Sequence, residues 1–264
     1  MRLDRVPVFA FACLSMSFLA SPGFADSQKA EMAPDVAEFE STVPDTPLPP
    51  DIKERVFIHM PATHKKDHLG TCVVTTDATV NDYGLTGWHL PGGGITWKLN
   101  TGTIPTANGL TPNTALAAFS AAFQTWTNAD KDKIFNYGGT TSVGRPRYDG
   151  INAVLWGKVS AGAIAITYVR YSTVTHQVVD VDTVFNSRHP WAIFDPTGGK
   201  CQSTPDAYDV QDIATHEFGH WVGLDDLYNS TDRDLTMYGY GAGGELKKRD
   251  LGMGDLTGAG IVAP

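Results

Sequence analysis

The sequence predicts an α+β domain, because two helical patterns are set among several short runs of residues that are typical of β-strands. Residues 111–128 repeat large apolar side chains at helical spacing after a capping threonine and a proline, and 207–222 form the second helical pattern. Turn-rich segments separate the β-branched or alternating runs, which are VFIHM, TCVVTT, ITWKLN, INAVLW, AIAITYVRY and VVDVDTVFN. Two of the last three runs could pair as a hairpin.

The N-terminus has the features of a secretory signal peptide. Two arginines precede an apolar run over 6–20, and Gly23 and Ala25 supply the small residues of a signal-peptidase site. An uncleaved membrane anchor is the alternative, but the run is short for a bilayer span. The sequence therefore predicts a signal peptide over 1–25 and a secreted or periplasmic protein.

The remaining chain divides by composition. Residues 26–55 are acidic and rich in proline, with little that could form a core, so a flexible leader or part of a pro-segment is predicted there. One domain is predicted over 56–264, because a chain of this length suffices for a single sizeable core. It comprises an N-terminal extension over 56–94 and a core over 95–264.

The chain of 264 residues is acidic, with 20 basic and 29 acidic side chains and a formal net charge of −9. It has no basic field that would neutralise phosphates, so a nucleic-acid partner is not expected. No segment after the signal peptide is long and apolar enough for a membrane span, and we expect a monomer in solution. The basic cluster of Lys247, Lys248 and Arg249 is predicted to be a solvated turn.

Two cysteines, Cys72 and Cys201, remain after signal cleavage. An even number of cysteines in an oxidising compartment indicates a disulfide bond, which is the first interpretation of this pair. The alternative is that Cys72 acts as a thiolate that caps a metal ion in a latent zymogen.

The strongest functional signal is the stretch THEFGHWVGLDDLY over 215–228. His216 and His220 are four residues apart, so on a helix they project side by side and can bind one zinc ion through imidazole nitrogens. Glu217 is offset around the helix, where a carboxylate can move protons without ligating the metal. The alternative, an amphipathic helix with two surface histidines, requires this spacing to arise by chance.

A third ligand is predicted at Asp226. Gly223 lies where a helix can end in a left-handed residue, which allows the chain to turn back toward the metal. Asp226 is six residues past His220, at the place of the last histidine in the extended zinc-protease pattern H-E-x-x-H-x-x-G-x-x-H. Aspartate oxygen is an acceptable zinc ligand. Asp225 is one residue off and is expected to point elsewhere.

The chain resembles a matrixin-type metzincin zinc metallopeptidase of the bacterial kind over 95–261. The resemblance rests on the zinc stretch and on the runs ITWKLN, ALAAFSAAFQTWTN, DGINAVLW, AGAIAITY, VVDVDTVFN, TMYGY and DLTGAGI. It implies a twisted, mostly parallel sheet with an antiparallel edge strand, backed by two helices that include the active-site helix. It also implies a methionine turn, in which Met237 packs its thioether beneath the imidazoles without ligating the metal.

The resemblance also implies where a peptide substrate binds. AIAITYV would be the edge strand above a cleft across the zinc, and the substrate would be added to it as an antiparallel strand. The segment 238–243 would line the pocket for the residue after the scissile bond. The implied substrate-binding residues are Ala163, Ile164, Ala165, Ile166, Tyr238 and Tyr240.

The chain departs from the family pattern at several positions. Asp226 stands in place of the usual third histidine, and Gly239 stands where astacins and serralysins keep a metal-binding tyrosine. Neither a cysteine-switch pattern near Cys72 nor the His-x-Asp pattern of a second, structural zinc is recognisable. Acids that could bind structural calcium, with turn and helix-start roles as the first interpretation, are Asp180, Asp182, Asp206, Asp209 and Asp212.

The sequence therefore predicts a secreted zinc-dependent endopeptidase that acts on protein or peptide substrates. Zinc would sit on His216, His220 and Asp226, and Glu217 would act as the general base. Two other functions stay open: a non-peptidase zinc hydrolase such as an amidase or deformylase, and a secreted binding or adhesion module with a structural zinc. A purely structural site does not need an adjacent base.

Overall fold

A computed structural model describes residues 47–62, 79–160, 162–195, 197 and 206–262. The predicted signal peptide over 1–25, the predicted strand TCVVTT, and Cys72 and Cys201 with their predicted disulfide all lie outside these residues. Within the described ranges, no helix is both long and apolar enough to cross a lipid bilayer.

The described residues form three α-helices and eleven β-strands. The helices are α1 (Pro112–Ala129), α2 (Val210–Val222) and α3 (Met253–Ile261). The strands are β1 (Ile52–Pro61), β2 (Gly84–Leu85), β3 (Ile95–Leu99), β4 (Phe135–Thr140), β5 (Asn152–Gly157), β6 (Ala165–Ser172), β7 (Val178–Asn186), β8 (Trp191–Ala192), β9 (Tyr208–Asp209), β10 (Leu224–Asp225) and β11 (Tyr240–Gly241).

The largest sheet in the described part of the chain has the strand order β11-β1-β6-β7-β5-β3-β4. Neighbouring strands are parallel from β7 to β4 and between β1 and β11, whereas β6 is antiparallel to both of its neighbours. The predicted α+β class with a mostly parallel sheet is therefore confirmed, and β6 and β7 pair as a hairpin.

The position of β6 differs from the prediction. AIAITYV was expected at the sheet edge, but β1 pairs with β6 in a continuous antiparallel register from Ile52 opposite Ser172 to His59 opposite Ala165. β1 begins inside the predicted leader over 26–55, so the last residues of that segment belong to the sheet. Local sequence patterns do not reveal this pairing, because the two strands are far apart in the chain.

Aromatic side chains join α1 to α2. Thr111 caps the first turn of α1, as the sequence predicts. The rings of Phe123 and Phe218 stack with their centres 3.6 Å apart, and Trp126 Nε1 donates a hydrogen bond to Thr215 O at 2.8 Å. Because Thr215 directly precedes the HEFGH run, α1 fixes the part of α2 that carries the predicted metal-binding residues.

Candidate metal centre

α2 carries the predicted catalytic and metal-binding side chains and ends where the sequence predicts. Asp209 caps its first turn by accepting a hydrogen bond from Asp212 N at 2.8 Å. Gly223 ends it with φ at 119°, in the left-handed region that glycine adopts most readily. A Cβ atom at Gly223 would lie 2.4 Å from Trp88 O, so this residue must also stay small. The chain can therefore turn directly into β10 and bring Asp226 back.

The side chains of His216, His220 and Asp226 converge on one point. Asp226 Oδ1 lies 3.2 Å from His216 Nε2 and 3.6 Å from His220 Nε2. Ligand atoms about 2.0–2.2 Å from a tetrahedral zinc ion lie about 3.3 Å apart, close to both of these distances. The ligand atoms of all three residues lie within 4.8 Å of one another, so they could hold one shared ion. Asp225 points away, as predicted, and its carboxylate pairs with the guanidinium of Arg55 at 2.7 and 2.8 Å.

Two of these converging atoms lack a hydrogen-bond partner. Among the described residues, His216 Nε2 and Asp226 Oδ1 are buried polar atoms that make no hydrogen bond. Leaving a buried polar atom unpaired costs about 1–3 kcal/mol, and a shared cation would remove that penalty. Two imidazoles and a carboxylate are a ligand set that zinc accepts, so the residues fit the expected metal.

Backbone carbonyls fix the tautomers of both histidines. His216 Nδ1 donates to Thr236 O at 2.7 Å, and His220 Nδ1 donates to Leu224 O at 2.9 Å. Because a carbonyl oxygen only accepts, the proton lies on Nδ1 and the Nε2 lone pair faces the shared point. Burial lowers the pKa of His216 well below its usual value and lowers the pKa of His220 to about 4. Both imidazoles are therefore neutral at neutral pH, the form that binds metal.

Glu217 is held beside the shared point by a chain of hydrogen bonds that the sequence did not predict. Its Oε2 accepts from Thr167 Oγ1 at 2.6 Å. Trp221 Nε1 donates to Thr183 Oγ1 at 2.9 Å, and the two threonine hydroxyls lie 2.8 Å apart. Because Thr167 donates its single hydroxyl proton to the carboxylate, Thr183 donates its own proton to Thr167. Burial raises the pKa of Glu217 to about 8. A carboxyl group whose pKa lies near neutral can both take up and release a proton during a reaction.

Met237 packs against α2 at Gly219, which lies between His216 and His220 in the sequence. A Cβ atom at Gly219 would lie 2.2 Å from Met237 Sδ, so the sulfur contacts the helix backbone at that residue. The carboxylate of Asp255 accepts hydrogen bonds from Thr236 N at 2.8 Å and Met237 N at 3.1 Å. The turn that carries Met237 is thereby fixed, with its sulfur against the helix backbone at Gly219.

The contact between Gly219 and Met237 predicts the effect of one added methyl group. We expect Gly219→Ala to lower the free energy of unfolding by about 1–3 kcal/mol, because its Cβ would overlap Met237 Sδ and lie 2.8 Å from the Trp126 ring. The matched control is Gly260→Ala in α3, where a Cβ meets nothing within 4 Å. Chemical denaturation measures both. Equal stability of the two variants would contradict the close packing of Met237.

The basic cluster is not the solvated turn that the sequence predicts. Lys248 is fully buried, and its Nζ donates to Thr236 O at 3.0 Å and to Tyr238 O. Burial lowers the pKa of Lys248 to about 8. Arg249 pairs with Asp209 at 2.6 Å, at the start of α2. The prediction is therefore wrong for these two side chains, since both hold backbone or helix-start groups around the site.

Tyr228 is a further contact that the sequence did not predict. Its hydroxyl donates to Asp226 Oδ2 at 3.2 Å, and burial raises the pKa of the phenol above its usual value. A Cβ atom at Gly239 would lie 2.5 Å from the Tyr228 ring. Gly239 therefore leaves the space through which Tyr228 reaches the Asp226 carboxylate. By holding Oδ2, Tyr228 orients the other carboxylate oxygen, Oδ1, toward the two histidines.

β1 closes the site on the side opposite α2, through a histidine that sequence reasoning missed. His59 Nδ1 lies 3.1 Å from Glu217 Oε1, and the rings of His59 and His216 are 3.9 Å apart. The sequence signal for His59 was the apolar run VFIHM, a strand pattern that carries one histidine.

The implied substrate-binding residues lie along this closed side or next to it: Ala163, Ile164, Ala165 and Ile166 are buried, and Tyr240 is opposite Met60. Tyr238 lies beside Lys248, whose Nζ is 5.7 Å from its ring centre.

Asp180 and Asp182 hold other groups of the protein. Both carboxylates pair with Arg170, and both also accept hydrogen bonds from backbone N–H groups. Carboxylate oxygens that already accept from amide and guanidinium donors are poorly placed to bind calcium. Asp209 and Asp212 lie at the start of α2, where each accepts backbone hydrogen bonds. These contacts favour the structural interpretation of the four acids, and Asp206 is exposed.

No protein-family model matches the chain, and a search of curated proteins found no significant relative.

Proposed function

We propose that this protein is a secreted zinc-dependent endopeptidase of the matrixin-like metzincin type. The observation that carries the proposal is the convergence of His216, His220 and Asp226 on one point, with the adjacent Glu217 outside that ligand set. The order of residues along the chain and the Met237 contact with α2 agree with the family pattern. The signal-peptide pattern of residues 1–25 supports secretion.

The proposed chemistry follows from the donor set. A zinc ion on these three side chains would supply Lewis acidity, which polarises the scissile carbonyl and makes water more acidic. Glu217 takes the proton from the attacking water and later gives it to the leaving nitrogen. Thr167 holds the carboxylate in position for both transfers, and Tyr228 orients Asp226.

The neighbouring strands support a peptide as the substrate. An extended chain between β6 and β11 can pair antiparallel to the first and parallel to the second, as β1 does. Such pairing recognises backbone and is a common mode of peptide binding. An amidase or deformylase acting on a small molecule does not need two strands that together hold an extended chain.

Casein cleavage tests the proposal. We expect the purified chain to bind one zinc ion and to cleave casein into peptides, and we expect a zinc chelator to stop cleavage until zinc is restored. Product peptides are measured by mass spectrometry, and a zinc-loaded sample without chelator is the control. Cleavage that continues after zinc removal would contradict the proposal. A zinc-bound chain that cleaves no protein, even when strand β1 is displaced from the site, would favour the binding module with a structural zinc.

A further inference from the structure

β1 lies where a peptide substrate would have to bind. It fills the space between β6 and β11 and pairs with both strands. The backbone groups that would hold a peptide are already engaged: Ile164 N donates to His59 O at 2.7 Å, and Ala62 N donates to Gly241 O at 2.9 Å. A second extended chain cannot use these groups while β1 remains.

Alternate side chains of β1 face the candidate metal centre. Phe57 stacks on the imidazole of His220 with ring centres 3.8 Å apart. Arg55 binds both carboxylate oxygens of Asp225, next to the predicted third ligand. His59, two residues after Phe57 on the same face of β1, contacts Glu217. β1 therefore contacts the site through side chains as well as through its backbone.

The site is closed in this arrangement. His216 and Glu217 are fully buried, and His220 is 1% exposed. Neither water nor a peptide bond can reach the shared point, although hydrolysis needs both. We propose that β1 is an intramolecular inhibitor that occupies the substrate cleft, and that activity requires its departure. This inference rests on the proposed endopeptidase function.

His59 is the residue of β1 best placed to block the chemistry. With His216 and Glu217 it forms a second group of potential ligand atoms that lie within 4.8 Å of one another. A catalytic zinc site must keep one position open for water or substrate. The His59 imidazole lies 3.1 Å from Glu217 Oε1 and 3.9 Å from the His216 ring, so it covers the general base and fills the space beside it that water or substrate would need.

The linkage of β1 to the rest of the chain makes this inhibition strong but reversible. A tethered strand competes at a high effective concentration, so a free peptide gains access only during the fraction of time when β1 is displaced. The rate of hydrolysis then scales with that open fraction. The intact chain therefore has low activity, and weakening the contacts of β1 raises it.

The test uses two variants of the full chain. In the loosened variant Arg55, Phe57 and His59 are each replaced by alanine, which removes the contacts with the metal centre. In the locked variant Val56→Cys is combined with Tyr168→Cys, because these residues are directly opposite in the β1/β6 register. Opposed residues of antiparallel strands lie about 4.5–5.5 Å apart, a separation that a disulfide spans. Ile58→Ala, on the other face of β1, is the control.

Two readouts are made. The first is the fluorescence anisotropy of a labelled peptide with the sequence of residues 52–61, measured in a Glu217→Gln background so that the peptide stays intact. The second is the initial rate of cleavage of a quenched fluorescent peptide by the zinc-loaded chain. We expect the loosened variant to exceed the parent by about tenfold or more in affinity and in rate, because its open fraction is larger. The Ile58→Ala control should resemble the parent.

The locked variant provides the complementary result and does not depend on the loosened variant folding. We expect it to bind no labelled peptide until a phosphine reductant opens the disulfide, with equally treated parent as the reference. Equal peptide binding by the oxidised and reduced locked variant would overturn the inference, as would a folded loosened variant that gains nothing. If peptide binding follows the expectation but no zinc-loaded form cleaves peptide, the strand assignment stands and the proposed function fails.

Discussion

Replacing Glu217 by glutamine is expected to lower kcat/KM for a peptide substrate by about 10²–10⁴-fold, the usual contribution of a general acid–base group. Glutamine retains the shape of the side chain and can still accept from Thr167, but it cannot take a proton from water. Since Glu217 lies outside the converging ligand set, zinc binding should be unchanged. The loss should therefore be in the chemical step.

The measurement for Glu217→Gln is steady-state hydrolysis of a quenched peptide, together with zinc content. The matched control is Asp132→Asn, the same change of carboxylate to amide at an exposed position far from the site in sequence. We expect it to hydrolyse peptide at the parental rate. Parental activity in Glu217→Gln would mean that another group carries the proton.

Replacing Asp226 by alanine is expected to weaken zinc binding by more than about 100-fold, because the loss of an outer hydrogen-bond partner alone already costs about 10–100-fold. The change removes an oxygen that lies 3.2 and 3.6 Å from the two imidazole nitrogens. It also leaves the Tyr228 hydroxyl without its acceptor on Asp226. Hydrolysis should fall with the metal and recover partly at high zinc concentration.

Competition with a chromophoric chelator measures the zinc affinity of Asp226→Ala. The matched control is Asp225→Ala, one residue away, whose carboxylate binds Arg55 and points away from the histidines. We expect this control to keep parental zinc affinity. Equal zinc affinity in the two variants would remove Asp226 from the ligand set and leave the third ligand to another residue.

The parts of the site that depend on local geometry could be predicted from the sequence. The i, i+4 spacing of His216 and His220 places both on one helix face, and the left-handed glycine at 223 brings Asp226 back, so short-range rules suffice. Thr167 and His59 could not be found in this way. Both come from strands, and their contacts with Glu217 depend on the pairing of segments that are distant in the chain.

Strand β4 and the burial of Lys248 are two further features that the sequence patterns did not predict, each for a different physical reason. β4 has the sequence FNYGGT, which contains two glycines that weaken a strand pattern, and it forms by pairing with the apolar strand β3. Lys248 belongs to a run that composition places in solvent, yet the carbonyls of Thr236 and Tyr238 accept its protons in the interior. Burial of a charge depends on such tertiary partners, which no residue pattern specifies.

We propose that one zinc ion and Glu217 together hydrolyse peptide bonds at the HEFGH helix. The decisive measurement is zinc per chain together with casein cleavage, made on the same preparations of the parent and Glu217→Gln. We expect one zinc ion per chain in both proteins, with cleavage only in the parent. Cleavage of casein by zinc-loaded Glu217→Gln at the parental rate, or by a parent that holds no zinc, would contradict it.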